Sequence, residues 1–233
     1  MQIWIIRHAE PDKDGQLTPQ GHREAQALAR RLQALKPDLI YTSPLARARD
    51  TMRYSAQALG LAYHVEDWLQ ERAHWLIDQE GLGRSTWWDI HGHTLRQLGP
   101  ALTGDAWRGV APFNQGDFLR EYDELCAASD GFLARHGYVR QGPVYRVTQA
   151  NRLKIAVFCH GGFGLTWLAH LLMIPLPLLW AGFNLAPSSL TTVLLDERNA
   201  DVATPRVLNL SDLSHLYADG VPRSFHGVKA NTA

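Results

Sequence analysis

Five side chains in this sequence form a set that could transfer a phosphoryl group: Arg7, His8, Arg47, Glu71 and His160. Arginine binds phosphate oxygens through paired hydrogen bonds and stays charged at any working pH. A neutral imidazole is a competent nucleophile, and neighbouring cations keep it neutral because they disfavour the imidazolium. A second histidine can donate a proton to a phosphoryl oxygen as charge develops there. A carboxyl group can protonate the leaving oxygen and then activate water.

Each of these residues also has an ordinary explanation when it is taken alone. Arg7 can be an ion pair at a strand end, and His8 a solvated loop residue. Arg47 lies among other arginines on a predicted helix, Glu71 can be a surface carboxylate, and His160 can be a core histidine. Their joint occurrence after successive predicted strands favours a functional site, because such positions converge in space.

Short apolar runs bounded by polar residues predict buried strands in front of these side chains. A helix is predicted to begin at Thr18-Pro19, where threonine is a good N-cap and proline suits the first helical position. Lys36-Pro37 ends that helix. The predicted strands cover residues 2–6, 38–42, 63–65, 153–159, 189–195 and 206–210, and the further predicted helices cover 45–59, 116–137 and 161–173.

The alternation of strands and helices predicts an α/β fold with a mostly parallel central sheet. Residues 72–115 are rich in tryptophan, and the region 72–152 is irregular, so we predict that residues 72–152 form an insertion capping one end of the sheet. We expect a single α/β domain over residues 1–233 with its ligand site beyond the carboxyl ends of the strands. Two arginines, two histidines and one carboxylate should then meet in one crevice.

Composition excludes several other classes of protein. The 23 Lys and Arg residues balance 23 Asp and Glu residues, so no positive field for nucleic acid is expected. The uncharged stretch 155–195 is interrupted by histidine, proline and glycine, which indicates a buried core and no membrane partner. Two cysteines, Cys126 and Cys159, exclude a disulfide framework and suit a reducing cytoplasmic location. His91-Gly92-His93 lacks a third metal ligand, so no metal site is predicted.

Four segments in order resemble the histidine phosphatase superfamily, the phosphoglycerate-mutase-like proteins. They are Arg7-His8-Ala9-Glu10, Leu17-Thr18-Pro19-Gln20-Gly21, Ser43 through Thr51, and Ile155 through Gly162. The resemblance covers about residues 1–71 and 153–195. It implies a three-layer α/β sandwich with an inserted cap and no metal or organic cofactor. It also implies that His8 becomes phosphorylated, Arg7 and Arg47 bind the phosphoryl group, His160 completes the phosphate pocket and stabilises the transition state, and Glu71 is the proton donor.

Two departures from the family pattern bear on the reaction. The Gly-x-Trp-Glu-Gly motif of the mutases is absent after Glu71, so Asp67, Glu66 and Glu80 are alternative donors. The loop after His8 is short and lacks the asparagine-containing segment of glycolytic mutases. Both departures favour hydrolysis. We therefore predict a metal-independent phosphatase that cleaves a phosphomonoester through a phosphohistidine; the alternatives are a phosphoglycerate-type mutase and a non-catalytic phospho-ligand-binding protein of this fold.

The predicted partner is a small phosphorylated substrate, and a homodimer is left open. The tryptophans of the inserted region have two equally weighted interpretations, as packing residues or as the wall of a leaving-group pocket: Trp75, Trp87, Trp88 and Trp107. Four cations could contact a second anionic group of the substrate or simply be exposed: Lys13, Arg72, Arg84 and Arg96.

Overall fold

An eight-stranded sheet with helices on both faces organises the computed structural model, which describes residues 1–79, 83–199 and 201–228. This arrangement confirms the predicted α/β class. The strands are β1 (Gln2–Arg7), β2 (Leu39–Thr42), β3 (Tyr63–Val65), β4 (Leu76–Gln79), β5 (Gly83–Thr86), β6 (Tyr138–Gln141), β7 (Val144–Val147), β8 (Lys154–Cys159), β9 (Leu190–Asn199) and β10 (Val202–Asp212). The helices are α1 (Pro19–Leu35), α2 (Ala46–Leu59), α3 (Gly92–Arg96), α4 (Phe118–Arg135), α5 (Gly161–Leu172), α6 (Leu176–Gly182) and α7 (Ser214–Ala218).

The strand order of the main sheet is β3-β2-β8-β1-β9-β10-β7-β6. The strands from β3 to β1 run parallel, and those from β9 to β6 extend the sheet in antiparallel pairs. β8 lies between β1 and β2, with Arg7 paired to Cys159 and Thr42 paired to Phe158. The residues that directly follow these three strands therefore lie side by side at one edge of the sheet.

Alternation along β1 divides the interior into two cores. Ile3 and Ile5 face one core, while Trp4 and Ile6 face the other, since successive side chains of a strand point to opposite faces. Helices α1 and α2 cover the second face, and α4 and α5 contribute to the first. The resulting helix–sheet–helix arrangement has three layers.

Local chemistry places α1 where the sequence predicts it. The Thr18 hydroxyl accepts the N–H of Gly21 (2.9 Å) and so caps the first turn. The helix ends at Lys36, which adopts a left-handed conformation (φ 55°) before Pro37. The start of α1 is thereby fixed close behind the loop that follows β1.

The region predicted as a cap insertion, residues 72–152, contains the hairpin β4–β5, short helical turns, α4 and the hairpin β6–β7. β6–β7 pairs with β10 and so joins the main sheet. The sequence analysis missed β4 to β7, because each has only four residues and too little alternation to be recognised. Among the described residues, no helix combines the length and apolar character that crossing a bilayer requires.

Candidate active site

The predicted site residues meet at the carboxyl ends of three neighbouring strands. Arg7 ends β1 and His8 follows it, while His160 follows β8 and precedes α5. Arg47 lies in the first turn of α2, just beyond β2. Arg7, His8, Arg47 and Glu71 line one cavity of about 1060 Å³. His160 is fully buried beside it, and its ring centroid lies 5.2 Å from that of His8.

His8 is buried and held by a hydrogen bond at each ring nitrogen. Nδ1 lies 2.8 Å from the carbonyl oxygen of Ala9, to which it donates, so the neutral ring carries its lone pair on Nε2. Nε2 accepts the Nε–H of Arg47 (3.1 Å). Burial holds the pKa of His8 well below its ordinary value, and His160 and the two arginines lower it further. The imidazole is therefore neutral at pH 7, with Nε2 directed at the arginine-lined side of the cavity.

The two arginines supply the positive charge of the site. Arg7 is anchored through Nη1 to the carbonyl of Leu185 (2.6 Å). Burial lowers the pKa of Arg7 to about 10, so this guanidinium remains protonated near neutrality. Burial also lowers the pKa of Arg47, but an arginine side chain keeps its charge in proteins. Two fixed cations beside a neutral imidazole form an environment suited to a phosphate dianion.

Ser43, which the sequence analysis left without a role, orients His160. Its hydroxyl accepts the N–H of Leu45 (3.3 Å) and lies 2.8 Å from Nε2 of His160. Burial, followed by Arg47 and Arg7, holds the pKa of His160 well below its ordinary value. Among the described residues, Nδ1 of His160 and Nε of Arg7 are buried without a hydrogen-bond partner. Such groups are costly unless a ligand satisfies them, and an anion with several acceptor oxygens fits this need.

Glu71 reaches the start of α5 from the segment after β3. Its Oε2 accepts the N–H of Gly162 (3.0 Å), and its Oε1 accepts the N–H of Phe163 (2.7 Å). These bonds and the two arginines lower the pKa of Glu71, but burial raises it by more, so that the net shift is upward. A carboxyl group with a raised pKa in the cavity wall can hold and deliver a proton.

The alternative donors differ in position. Glu66 bonds to Arg135 (2.5 Å) and to the indole N–H of Trp68 (3.0 Å). Neither Glu66 nor Asp67 is among the described residues that line the cavity, and Glu80 lies outside the described residues. Asp89, which the sequence analysis did not consider, lines the cavity.

The four tryptophans divide between the two interpretations. Trp75, Trp87 and Trp107 are buried in the core with other aromatic rings. Trp88 is partly buried and lines the cavity. Of the four cations weighed for a second anion, Lys13 alone is among the described residues that line it. One tryptophan and one lysine thus face the space available to a leaving group.

The C-terminal segment contributes contacts for which the sequence has no signal. The carbonyl oxygen of His226 accepts the Nη2–H of Arg7 (3.2 Å). Gly227 follows with φ +85°, and a Cβ there would lie 3.2 Å from Nη2 of the same arginine. The Ser224 hydroxyl donates to the carboxylate of Glu10 and accepts the N–H of His226 (3.1 Å). This segment fixes the outer side of the Arg7 guanidinium.

A family model of the histidine phosphatase superfamily (branch 1) matches residues 3–108. Over these residues the chain resembles that superfamily. The match confirms the resemblance predicted from the sequence and contains Arg7, His8, Arg47 and Glu71. No curated protein sequence matches the chain.

Solved structures extend the comparison to most of the chain. A mutant phosphoserine phosphatase from Entamoeba histolytica in complex with phosphoserine superposes with a TM-score of 0.62 at 20% identity, covering 92% of this chain and 98% of that one. A mycobacterial glucosyl-3-phosphoglycerate phosphatase gives 0.57 at 22% identity, covering 90% and 97%. A structure of the mycobacterial enzyme with VO3 gives 0.58 at 21% identity, covering 89% and 97%. These likenesses confirm the predicted phosphoglycerate-mutase-like fold.

Proposed function

We propose that this protein is a phosphatase that hydrolyses a phosphomonoester through a phosphohistidine at His8. The observation that carries the proposal is the state of His8: a buried, neutral ring with its Nε2 lone pair facing Arg47. Two further observations support a phosphate ligand there. Nε of Arg7 and Nδ1 of His160 lack partners among the described residues, and both are groups that can donate to phosphate oxygens.

The first half-reaction transfers the phosphoryl group to the protein. A phosphate oxygen replaces Nε2 of His8 as the acceptor of the Arg47 N–H, which frees the lone pair to attack phosphorus. The bond from phosphorus to the leaving oxygen breaks, its electron pair stays on that oxygen, and Glu71 supplies a proton to complete the alcohol. Arg7, Arg47 and His160 stabilise the charge on the remaining phosphoryl oxygens.

The second half-reaction returns His8 to its starting state. Water attacks phosphorus and gives a proton to the Glu71 carboxylate, while the nitrogen–phosphorus bond breaks and its electron pair returns to Nε2. The inorganic phosphate is formed with its oxygens still bound to the arginines, and it then dissociates. In this proposal the arginines supply the positive charge throughout. Among the described residues, no group of three or more His, Cys, Asp or Glu side chains is placed to hold a metal ion.

Phosphate release in EDTA from p-nitrophenyl phosphate, phosphoserine, 3-phosphoglycerate and larger sugar phosphates tests the proposal. Wild type should turn over and His8→Ala should be inactive, while His93→Ala, an exposed histidine on α3, serves as the matched control and should retain activity. Rapid acid-free quenching with a radiolabelled ester should trap label on the wild type only. Activity retained by His8→Ala, or abolished by EDTA, contradicts the proposal. Primer-dependent isomerisation of 3-phosphoglycerate would instead indicate a mutase, and binding without turnover a non-catalytic protein.

A further inference from the structure

Trp88 lies on a helical turn, residues 87–89, that is fixed to the core by its neighbour. The buried ring of Trp87 stacks on Phe118, with 4.3 Å between ring centroids and 27° between planes. The carbonyl of Trp87 accepts the N–H of Ile90 (3.2 Å), which closes the turn. Because the Trp87 side chain is buried in the core, the partly buried side chain of the next residue, Trp88, faces the cavity. Its position is therefore determined by packing outside the site.

The Trp88 ring packs directly on the backbone of Gly162 at the start of α5. A Cβ atom at Gly162 would overlap the indole, lying 2.7 Å from both Cε2 and Cε3, so that only glycine allows this approach. The N–H of the same glycine donates to Oε2 of Glu71 (3.0 Å). Gly162 thus contacts both the indole and the Glu71 carboxyl. Trp88, Gly162 and Glu71 all line the same cavity.

Burial raises the pKa of Glu71 against several interactions that lower it. The N–H groups of Gly162 and Phe163 and the two nearby arginines favour the carboxylate, yet burial dominates and raises the pKa of Glu71. The Trp88 indole is a large apolar group that packs against Gly162 and lines the cavity. Among the described residues, Arg7 on β1, Arg47 on α2 and Cys159 on β8 interact electrostatically with Glu71. Asp89, beside Trp88, lines the same cavity and interacts with Arg7.

We propose that Trp88 is a positioning residue for the reaction: its indole excludes water from the Glu71 carboxyl, so that this group carries its proton to the leaving oxygen. The inference rests on the proposed role of Glu71 as the acid. A carboxyl against an aromatic wall stays protonated to higher pH because the wall disfavours the charged form. Removing the wall admits water and leaves the arginines and helix N–H groups to favour the carboxylate.

Two esters of nearly equal shape separate this effect from substrate binding. Phenyl phosphate needs protonation of its leaving oxygen more than p-nitrophenyl phosphate does, because p-nitrophenol is the stronger acid. The measured quantity is kcat/KM, which reports steps up to the first irreversible one and excludes later hydrolysis of the phosphohistidine. For Trp88→Ala we expect kcat/KM at pH 7.5 to fall about tenfold more for phenyl phosphate than for p-nitrophenyl phosphate, as a shift of about one pH unit in the acid requires. In the plot of kcat/KM for phenyl phosphate against pH, the alkaline limb should move to lower pH by about one unit.

Further variants make the outcome decisive. Trp88→Phe keeps an aromatic wall and should hold the ratio of the two kcat/KM values within about twofold of wild type. Trp88→Gln, a polar replacement of intermediate size, should act like Trp88→Ala and replaces it in the test if the alanine variant does not fold. Phe183→Ala removes another aromatic side chain that lines the cavity and should change the two kcat/KM values in parallel. Equal losses for both esters in Trp88→Ala, with an unmoved alkaline limb, overturn the inference.

Glu71→Gln, measured beside these variants, distinguishes failure of this inference from failure of the proposed function. A much larger loss for phenyl phosphate than for p-nitrophenyl phosphate in Glu71→Gln supports Glu71 as the acid. If that loss appears and Trp88→Ala lacks it, the role of Trp88 is wrong while the acid assignment stands. If Glu71→Gln lowers kcat/KM equally for both esters, Glu71 is not the acid, and the inference drawn for Trp88 is wrong as well.

Discussion

Replacing Glu24 by glutamine should stabilise the protein at alkaline pH. Glu24 lies on α1 and is fully buried, and its Oε2 accepts the N–H of Glu10 (2.9 Å) in the loop that follows His8. Burial raises the pKa of Glu24 from 4.5 to about 7, against the opposing effect of its hydrogen bonds from Glu10 and Gln20. Because the folded-state pKa is the higher one, stability from this group is complete below pH 4.5. It is lost as the pH rises through 7.

The size of the effect follows from these two pKa values. At about 1.4 kcal/mol per pH unit, the interval from 4.5 to about 7 corresponds to about 3 kcal/mol lost by pH 8. Glu24→Gln keeps an oxygen for the Glu10 N–H and never ionises. The variant loses the long hydrogen bond from Gln20 (3.4 Å), and this loss reduces the gain in stability by about 1 kcal/mol. The variant should therefore be about 2 kcal/mol more stable than wild type at pH 8, with the advantage shrinking toward pH 5.

Urea unfolding at pH 5, 6, 7 and 8 measures this difference. Glu124→Gln is the matched control, since this exposed carboxylate on α4 pairs with Arg120 at the surface. It should leave the free energy of unfolding nearly unchanged at every pH. A Glu24→Gln variant less stable than wild type at pH 8, or a difference that stays constant from pH 5 to 8, refutes the reasoning.

Three further predictions concern the site and its support. Arg47→Lys keeps the charge but loses the paired geometry and the Nε–H bond to His8, so kcat/KM should fall about 100-fold in steady-state assays. Gly227→Val strains a backbone with φ +85° that lies against Arg7, so the Kd for inorganic phosphate should rise about tenfold by calorimetry. His215 is buried, and burial lowers its pKa to about 4. The unfolded state binds this proton at a higher pH than the folded state does, so the contribution of His215 to stability should fall by about 2 kcal/mol between pH 7 and pH 5. On urea unfolding, the free energy of wild type relative to His215→Gln should fall by that amount over this interval, and a difference that stays constant contradicts the prediction.

The parts of the structure predicted from sequence are those encoded locally. Thr18 and Pro19 start α1 because an N-cap hydroxyl and a proline ring act within one turn. The apolar runs before Arg7 and His160 predict strands, and the rule that parallel strands end at one edge of the sheet brings these residues together. Ser43 begins one of the four family segments, but its contact with His160 depends on the pairing of β2 with β8.

What sequence could not predict depends on partners far along the chain. Trp88 and Trp87 are adjacent and identical in type, yet one faces the cavity and the other the core, because Phe118 stacks on only one of them. His226 binds Arg7 through a backbone carbonyl, a group that every residue carries, so its identity leaves no signal. The antiparallel strands β6 and β7 are four residues each and are defined by pairing with β10 and with each other.

The position of β8 in the sheet also determines the order in which the protein can be built. During synthesis the apolar strands β1 and β2 are made early, but both pair with β8, whose first residue is Lys154. Until that residue has left the ribosome, β1 has neither of its neighbours, β8 and β9, and β2 has only β3. The unsatisfied backbone groups and apolar faces of these strands are then open to wrong partners. Pairings this distant in sequence are slow to form. Ribosome-bound chains that end before residue 154 should therefore be the species most in need of chaperones. In these chains, helices α1 and α2 also lack the completed sheet on which they pack.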